Sequence, residues 1–417
     1  MNKYLSLILL TALSAFVSTA RDADDQLGER LNPVIEAGED TAVDYSAYPS
    51  VRLRHNIVNL NNDDWSALGR KYRSALAGDS LFTVVYLGDS HVQADFGGSV
   101  LRRRLSQNRP AGRGLLIPFR LAGTNEPLDY TFKLQSPYTS SKLMRSPWST
   151  EMPFTGIALK PDERDFTLSI SSSMPADRLR FHTLGSCVSV RQVLADGVEQ
   201  QFGTYMDSDG LLCMSLPALS NSFEISLSGD GDTVFGGVEL RSDSVGVVFH
   251  SIGNNGATFS DYGSIGHFGT ELSALHPDLV VVALGTNEAF GRKSTDDLRT
   301  NMDALLKNIA RYNPGAKILL VGPADCYKKI RRRRHGRRRT VLVVNTKAAE
   351  IARTMRLFAE EKGIPYYNQY AVAGSAASQR KAHLLGSDGV HYTVAGYRLW
   401  GNLLSDAILD GMKMDKK

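Results

Sequence analysis

The sequence predicts an α/β protein: a three-layer α/β/α domain around a parallel sheet, interrupted midway by an inserted β-sandwich. Three observations carry this. Strand-like and helix-like stretches alternate on both sides of the middle third of the chain, as they do in βαβ units. Several of the strand-like stretches, such as Leu81–Leu87 (LFTVVYL) and Leu279–Leu284, are continuous apolar runs, the pattern of strands buried on both faces. Between residues 119 and 244 helical patterns give way to short alternating segments broken by Gly, Asp, Ser and Pro, the texture of a sandwich.

The chain opens with Lys3, an apolar run from Tyr4 to Val17, and then Ser18-Thr19-Ala20. Small residues at the cleavage positions and an apolar run shorter than the roughly 20 residues that span a bilayer read as a secretory signal peptide. Residues 1–20 are therefore expected to be removed after Ala20, leaving a periplasmic or secreted protein with no stable membrane insertion. No cysteine directly follows the run, so lipid attachment is not expected there.

Residues 21–118 are expected to form the first part of the α/β domain. Apolar positions from Asn59 to Leu76 recur at helical spacing, Leu81–Leu87 is a buried strand, and Val100, Leu101 and Leu105 mark a helix over Gly97–Leu105. Strand, tight turn and helix place the turn residues at the carboxyl edge of a parallel sheet, where open α/β folds bind ligands. In the insertion, residues 119–244, the strand-like segments are Phe166–Ile170, Val188–Leu194, Phe223–Leu227 and Val234–Leu240. Residues 245–417 resume the α/β pattern. Val245–Ile252, Leu279–Leu284, Lys317–Val321 and Ile364–Tyr367 read as strands, and Thr295–Tyr312 and Asn345–Lys362 as helices, the latter stopped by Gly363. Thr393 can cap a final helix running to about Met412.

With 417 residues, 42% of them hydrophobic and 22% charged, the chain can bury a large core, and neither disorder nor a fibrous repeat is indicated. The net charge of +4 is small but uneven, because Lys328–Arg339 reads KKIRRRRHGRRR. A solvated loop between strand and helix is the plain reading of that run. Docking onto an acidic polymer is the alternative, since guanidinium groups pair bidentately with carboxylates and phosphates. An exported chain is not expected to meet nucleic acid. Three cysteines allow at most one disulfide; Cys187 and Cys213 share the β-rich region, Cys326 lies far from both in sequence, and pairing is left open. No zinc-type cysteine spacing and no HExxH occurs, so no metal and no cofactor is expected.

Four short segments collect the groups that acyl transfer needs. Gly88-Asp89-Ser90-His91 places a serine in a strand-to-helix turn, exposed and surrounded by backbone amides. Asp388-Gly389-Val390-His391 sets a carboxylate and an imidazole three residues apart before the last helix, so the acid can orient the ring while its other nitrogen faces the serine. Gly253-Asn254-Asn255-Gly256 and Gly285-Thr286-Asn287-Glu288 each follow a strand-like run and offer an unhindered backbone amide and a side-chain amide as oxyanion donors. Taken singly, each also suits turn or capping chemistry.

In this order, the segments resemble the four blocks of the SGNH/GDSL hydrolases: a GDS turn, a glycine block, a GxND block and a carboxyl-terminal DxxH. The resemblance implies a flavodoxin-like three-layer hydrolase domain. It further implies that Ser90 is the nucleophile, Asp388 and His391 its triad partners, and Ser90, Gly256 and Asn287 the oxyanion donors, with Gly253 the neighbouring alternative to Gly256. Glu288 stands where aspartate is usual and His91 where leucine is common; with Asp89 they are candidates to back the catalytic groups, Glu288 behind Asn287, while His91 reads first as a packed structural histidine and otherwise as a supporting or substrate contact. The wording GDSHVQAD, NGATFSD and GTNEAF, with the insertion, is similar to that of periplasmic peptidoglycan O-acetylesterases. That likeness implies an O-acetylated glycan as partner, the muramic acid 6-O-acetyl group as substrate, and a carbohydrate-binding type of module in the insertion. Rival readings are an acetylesterase for acetylated xylan or sialic acid, an O-acetyltransferase, and a catalytically silent glycan-binding protein.

Overall fold

The apolar run at Leu81–Gly88 lies inside a six-stranded sheet, with Gly246–Gly253 on one side and Leu279–Ala283 on the other, all three parallel. This computed structural model describes residues 43–185, 188–334 and 337–413. Lys317–Val321 and Tyr366–Tyr367 continue the sheet in parallel beyond Leu279–Ala283. Counted along the chain, the five parallel strands stand in the order 2-1-3-4-5, the flavodoxin-like arrangement. Val58–Asn59 closes the far edge antiparallel to Tyr366–Tyr367, so the sheet is mixed and not wholly parallel as expected. An edge strand needs only one partner and no crossover, which leaves its direction free.

One face of the sheet, presenting Val85, Leu87, Val280 and Val282, is covered by helices Thr295–Tyr312 and Thr346–Lys362 through Leu298, Met302, Ile351 and Met355. The other face carries Ser66–Ala77, Phe96–Ser106 and Val394–Gly411. There Tyr72 meets Phe82 edge-on at 5.2 Å, and the Arg102 guanidinium lies 5.5 Å above the Phe249 ring. The helix expected from Asn59 begins only at Ser66. Asn61 and Asn62 adopt φ of 50° and 70°, a left-handed turn that the short polar side chain of Asn tolerates and that no helix can include. Gly363, at φ 66°, ends the Thr346–Lys362 helix as its sequence position predicts.

Between Gly114 and Arg241 the strands join in one ten-stranded antiparallel sheet. Two long strands, Asp165–Leu184 and Leu212–Ser228, run through it and shift register between Ser215 and Ser222. Phe132, Phe181, Phe223 and Ile225 form its own apolar cluster. Leu143, Phe154 and Ile157 instead join the cluster of Phe259, Tyr262 and Phe268, so the insertion and the α/β layers share core residues.

The basic run is not the expected loop. Tyr327–Arg334 and Arg337–Val344 pair antiparallel as a hairpin, with Ile330 opposite Val341 and Lys329 opposite Leu342. The β-branched stretch Thr340–Val344 favours extended backbone and supplies the apolar cross-strand partners. Cys213 and Cys326 are buried free thiols, while Cys187 and the expected signal peptide lie outside the described residues. No helix among the described residues is long and apolar enough to cross a membrane.

Candidate active site

The first parallel strand delivers Asp89 and Ser90 to the carboxyl edge of the sheet, beside the point where the strand order reverses. Asp89 caps the short helix Ser90–Gln93: its Oδ1 accepts from the His91 amide at 2.9 Å, and its carbonyl accepts from Val92 and Gln93 at 3.0 Å. The neighbouring strand Gly246–Gly253 passes close under this turn. A Cβ on Gly253 would stand 2.3 Å from the Gln93 nitrogen, so only glycine lets the two backbones approach this far.

The partner loop precedes the last helix, whose N-cap Thr393 accepts from the Gly396 amide at 3.2 Å. Asp388 Oδ1 accepts from the amides of Val390 and His391 at 2.9 and 3.0 Å. Its Oδ2 lies 2.6 Å from His391 Nδ1, and His391 Nε2 lies 2.8 Å from Ser90 Oγ. Partial burial pushes the Asp388 carboxyl up, but the His391 side-chain bond, the Val390 amide and the His391 charge outweigh it and hold the group at about 2. An ionised Asp388 that accepts the Nδ1 proton leaves Nε2 bare. That tautomer can take a proton from a serine hydroxyl.

Asn287 follows the third parallel strand. Its Nδ2 donates to Asp89 Oδ2 and to the Ala257 carbonyl, each at 3.1 Å. Gly256 sits with φ at 86° in the turn that Ala257 N closes onto the Asn254 carbonyl at 3.0 Å. Ser90, Gly256 and Asn287 thus come from three loops that converge on one edge, while Gly253 is the last residue of its strand. Burial lifts the Asp89 carboxyl to about 6, against bonds from the His91 amide and the charge of His391. The His91 ring is pushed down to about 3 by burial and by His391. It lies 5.3 Å from the His391 ring, with Nδ1 3.2 Å from the Tyr397 hydroxyl. Glu288 reaches the next loop, where Oε1 accepts from the Phe259 amide at 2.8 Å; burial raises its carboxyl to about 7 in spite of that bond.

Several residues around the site have partners that the sequence alone does not show. Gln93 ties the serine turn to the insertion, donating to the Asn125 carbonyl at 2.6 Å and accepting from the Asn255 amide at 2.7 Å. Tyr262 donates to the Gly88 carbonyl at 2.7 Å, and Asn254 donates to Tyr262 and to the Thr155 carbonyl. In sequence Gln93 appears only as a member of the GDSHVQAD wording, with nothing to mark its partners. Beside Asp388 opens a cleft of about 510 Å³, lined by Phe290, Tyr327, Lys328, Lys329 and Lys347 among others.

A solved structure of a peptidoglycan O-acetylesterase is similar to this chain at TM-score 0.67 and 19% identity, covering 85% of this chain and 97% of that one. This likeness shows a shared fold. A lipase/acylhydrolase from Enterococcus faecalis (20% identity, 41% of this chain and 80% of that one, TM-score 0.30) and an acetylxylan esterase from Geobacillus stearothermophilus (18% identity, 41% and 74%, TM-score 0.29) overlap too little to carry weight. No curated protein matches the chain. Residues 236–399 match the model of the GDSL-like lipase/acylhydrolase family. The matched stretch holds the loops of Gly256, Asn287, Asp388 and His391, and the serine turn precedes it. The stretch 236–399 is therefore similar to the GDSL-like lipase/acylhydrolase family, and the chain is a carboxylic ester hydrolase.

Proposed function

We propose that this enzyme is an exported serine esterase that removes O-acetyl groups from a cell-envelope glycan, the muramic acid 6-O-acetyl group of peptidoglycan. The observation that carries the mechanism is the hydrogen-bonded line from Asp388 through His391 to Ser90 Oγ. In this reading Ser90 Oγ attacks the acetyl carbonyl as His391 Nε2 takes its proton, and Asp388 stabilises the imidazolium. The tetrahedral oxyanion is received by the amides of Ser90 and Gly256 and by the Asn287 side chain. His391 returns the proton to the departing sugar hydroxyl, and water then releases acetate from the acyl-serine by the same steps in reverse.

The substrate is argued from the fold shared with a peptidoglycan O-acetylesterase across 97% of that chain. Residues 119–244, whose strands belong to the ten-stranded antiparallel sheet, serve here as a module of carbohydrate-binding type set between the two hydrolase parts, 21–118 and 245–417. Asn125 and Met144 support this placement: Asn125 bonds Gln93 and Asn255, and Met144 lies beside Gly256. Acetate release from O-acetylated peptidoglycan by the parent enzyme, set beside Ser90→Ala and beside acetylated xylan, tests both parts. Release from xylan but not from peptidoglycan rejects the substrate while keeping the mechanism; equal release by Ser90→Ala rejects the mechanism.

A further inference from the structure

The triad leaves the basic hairpin without a task, yet the hairpin is rooted in the loops that form the site. The Tyr327 amide donates to the Gly389 carbonyl at 2.7 Å, inside the Asp388–His391 loop. Asn345 closes the other end: its amide donates to the Cys326 carbonyl at 2.8 Å and its Nδ2 to the Ala289 carbonyl at 3.1 Å, just past Asn287. The hairpin therefore rises beside the loops that carry Asp388 and Asn287. At its foot the 510 Å³ cleft lies between the hairpin lysines, Lys347, Asp388 and Phe290, whose ring is 45% exposed. This is the volume of a small-ligand pocket, about 300 to 1,000 Å³, and more than an acetyl group fills.

The hairpin's own electrostatics are unfavourable. Arg332 stands directly opposite Arg339, and Arg333 opposite Arg338. Like charges facing each other across a strand pair destabilise it, and a two-stranded hairpin alone is marginal. Alternation along the strands puts Lys329, Arg331, Arg333 and Arg338 on one face and Lys328, Arg332 and Arg339 on the other. Among the described residues, none of these seven side chains has a carboxylate within ion-pair distance. Neutralisation has to come from outside, and from something with several negative groups that reaches both the hairpin and the cleft beside Asp388.

We propose that the hairpin Tyr327–Val344 and the cleft at its foot bind the polymer that carries the ester, an anionic glycan whose carboxylates pair with the guanidinium groups while the acyl group lies at Ser90. The assignment rests on the esterase reading of Ser90. Arginine suits this task because its planar fork meets a carboxylate with two parallel bonds, which lysine cannot do. Several weak exposed pairs acting along one strand of polymer add up where a single pair contributes little.

The test compares kcat/KM for acetate release from a carboxylate-bearing O-acetylated glycan, from the same glycan with its carboxyls amidated, and from 4-nitrophenyl acetate. The proteins are the parent, a variant with Arg331→Gln, Arg332→Gln, Arg338→Gln and Arg339→Gln together, and the same four changed to Lys. For the parent, the ratio of glycan to aryl acetate kcat/KM is expected to fall roughly tenfold on amidation or on raising salt, because screening removes exposed attraction. The Gln variant starts with that lower ratio, carried by KM, and responds to neither treatment; the Lys variant recovers part of it. A Gln variant with the parental ratio and salt response overturns the proposal. So does a variant that loses binding only to phosphate-rich vesicles, since the partner is then not the substrate. If the parent cleaves no ester at all, the reading of Ser90 fails instead, and co-sedimentation with native against amidated glycan still decides the hairpin: equal binding to both overturns it, and loss on amidation supports it.

Discussion

Asn287 Nδ2 donates to Asp89 Oδ2 across 3.1 Å, so the amide after the third parallel strand is held by the carboxylate that immediately precedes the serine. Its other hydrogen goes to the Ala257 carbonyl, which joins the three loops that bring Ser90, Gly256 and Asn287 together.

Asn287→Ala is expected to lower kcat by roughly 100 to 1,000-fold with little change in KM, the cost of one oxyanion donor. Steady-state kinetics on an aryl acetate measure it. A loss confined to KM would remove Asn287 from transition-state stabilisation.

Ser90→Ala should lower ester hydrolysis by at least about 1,000-fold while leaving the thermal midpoint near that of the parent, since Ser90 Oγ has His391 as its partner and is not packed in the core. Organophosphate labelling followed by peptide mapping provides an independent check, and a label on any other serine would contradict the assignment.

Asp388→Asn should reduce kcat by up to about 10,000-fold, because an amide in that place can favour the wrong tautomer of His391. Asp388 is held at about 2, below its ordinary value. The stability it contributes is therefore complete above the ordinary carboxylate range and is lost as pH falls through about 2. Any parental advantage in thermal midpoint from this pairing should shrink between pH 4 and pH 2, and the acid limb of the rate profile near neutrality should not stem from this carboxyl.

Asp89 has the opposite sign. Burial raises it to about 6, so the folded state holds its proton more tightly than the unfolded chain, and ionising it costs stability as pH rises from the ordinary value to about 6. Asp89→Asn should thus be more stable than the parent above pH 6, with the gain fading toward pH 4, and less active because Asn287 loses its charged anchor. Thermal melts at pH 4, 6 and 8 give the trend; a gain largest at pH 4 would invert the sign and refute it.

Gly253→Ala should lower both stability, by about 1 to 3 kcal/mol, and kcat, because the new methyl meets the Gln93 backbone at 2.3 Å and pushes the serine turn off the sheet. Chemical denaturation and aryl acetate kinetics together check this. An active variant of parental stability would mean that the strand yields instead.

What the sequence disclosed followed from how local each signal was. Leu279–Leu284 is apolar throughout and Leu81–Leu87 is broken only by Thr83, so their burial could be read directly, and the order of the GDS, glycine, GTNE and DxxH segments singled out residues that the fold brings to one edge of the sheet. Gln93 and Asn125 could not be found this way, because their role depends on the insertion folding back over the serine turn, a contact between distant segments with no periodicity. Asn61 and Asn62 stopped a helix that apolar spacing alone would have begun at Asn59. The basic run read as a loop because charge dominates its composition, while the alternation of Ile330, Val341 and Val343 that pairs the strands lies beneath it.

Cys326 and Asn345 face each other across a single backbone hydrogen bond, so the chain leaves and re-enters the hydrolase at practically one point. Just inside that joint the Tyr327 amide ties the first strand to the Gly389 carbonyl. Segments of other length and charge grafted beyond Tyr327 and Val344 would keep the Tyr327 amide on the Gly389 carbonyl and so leave the Asp388–His391 loop in place, which makes this neck a natural place for evolution, or for an engineer, to change the surface beside the site.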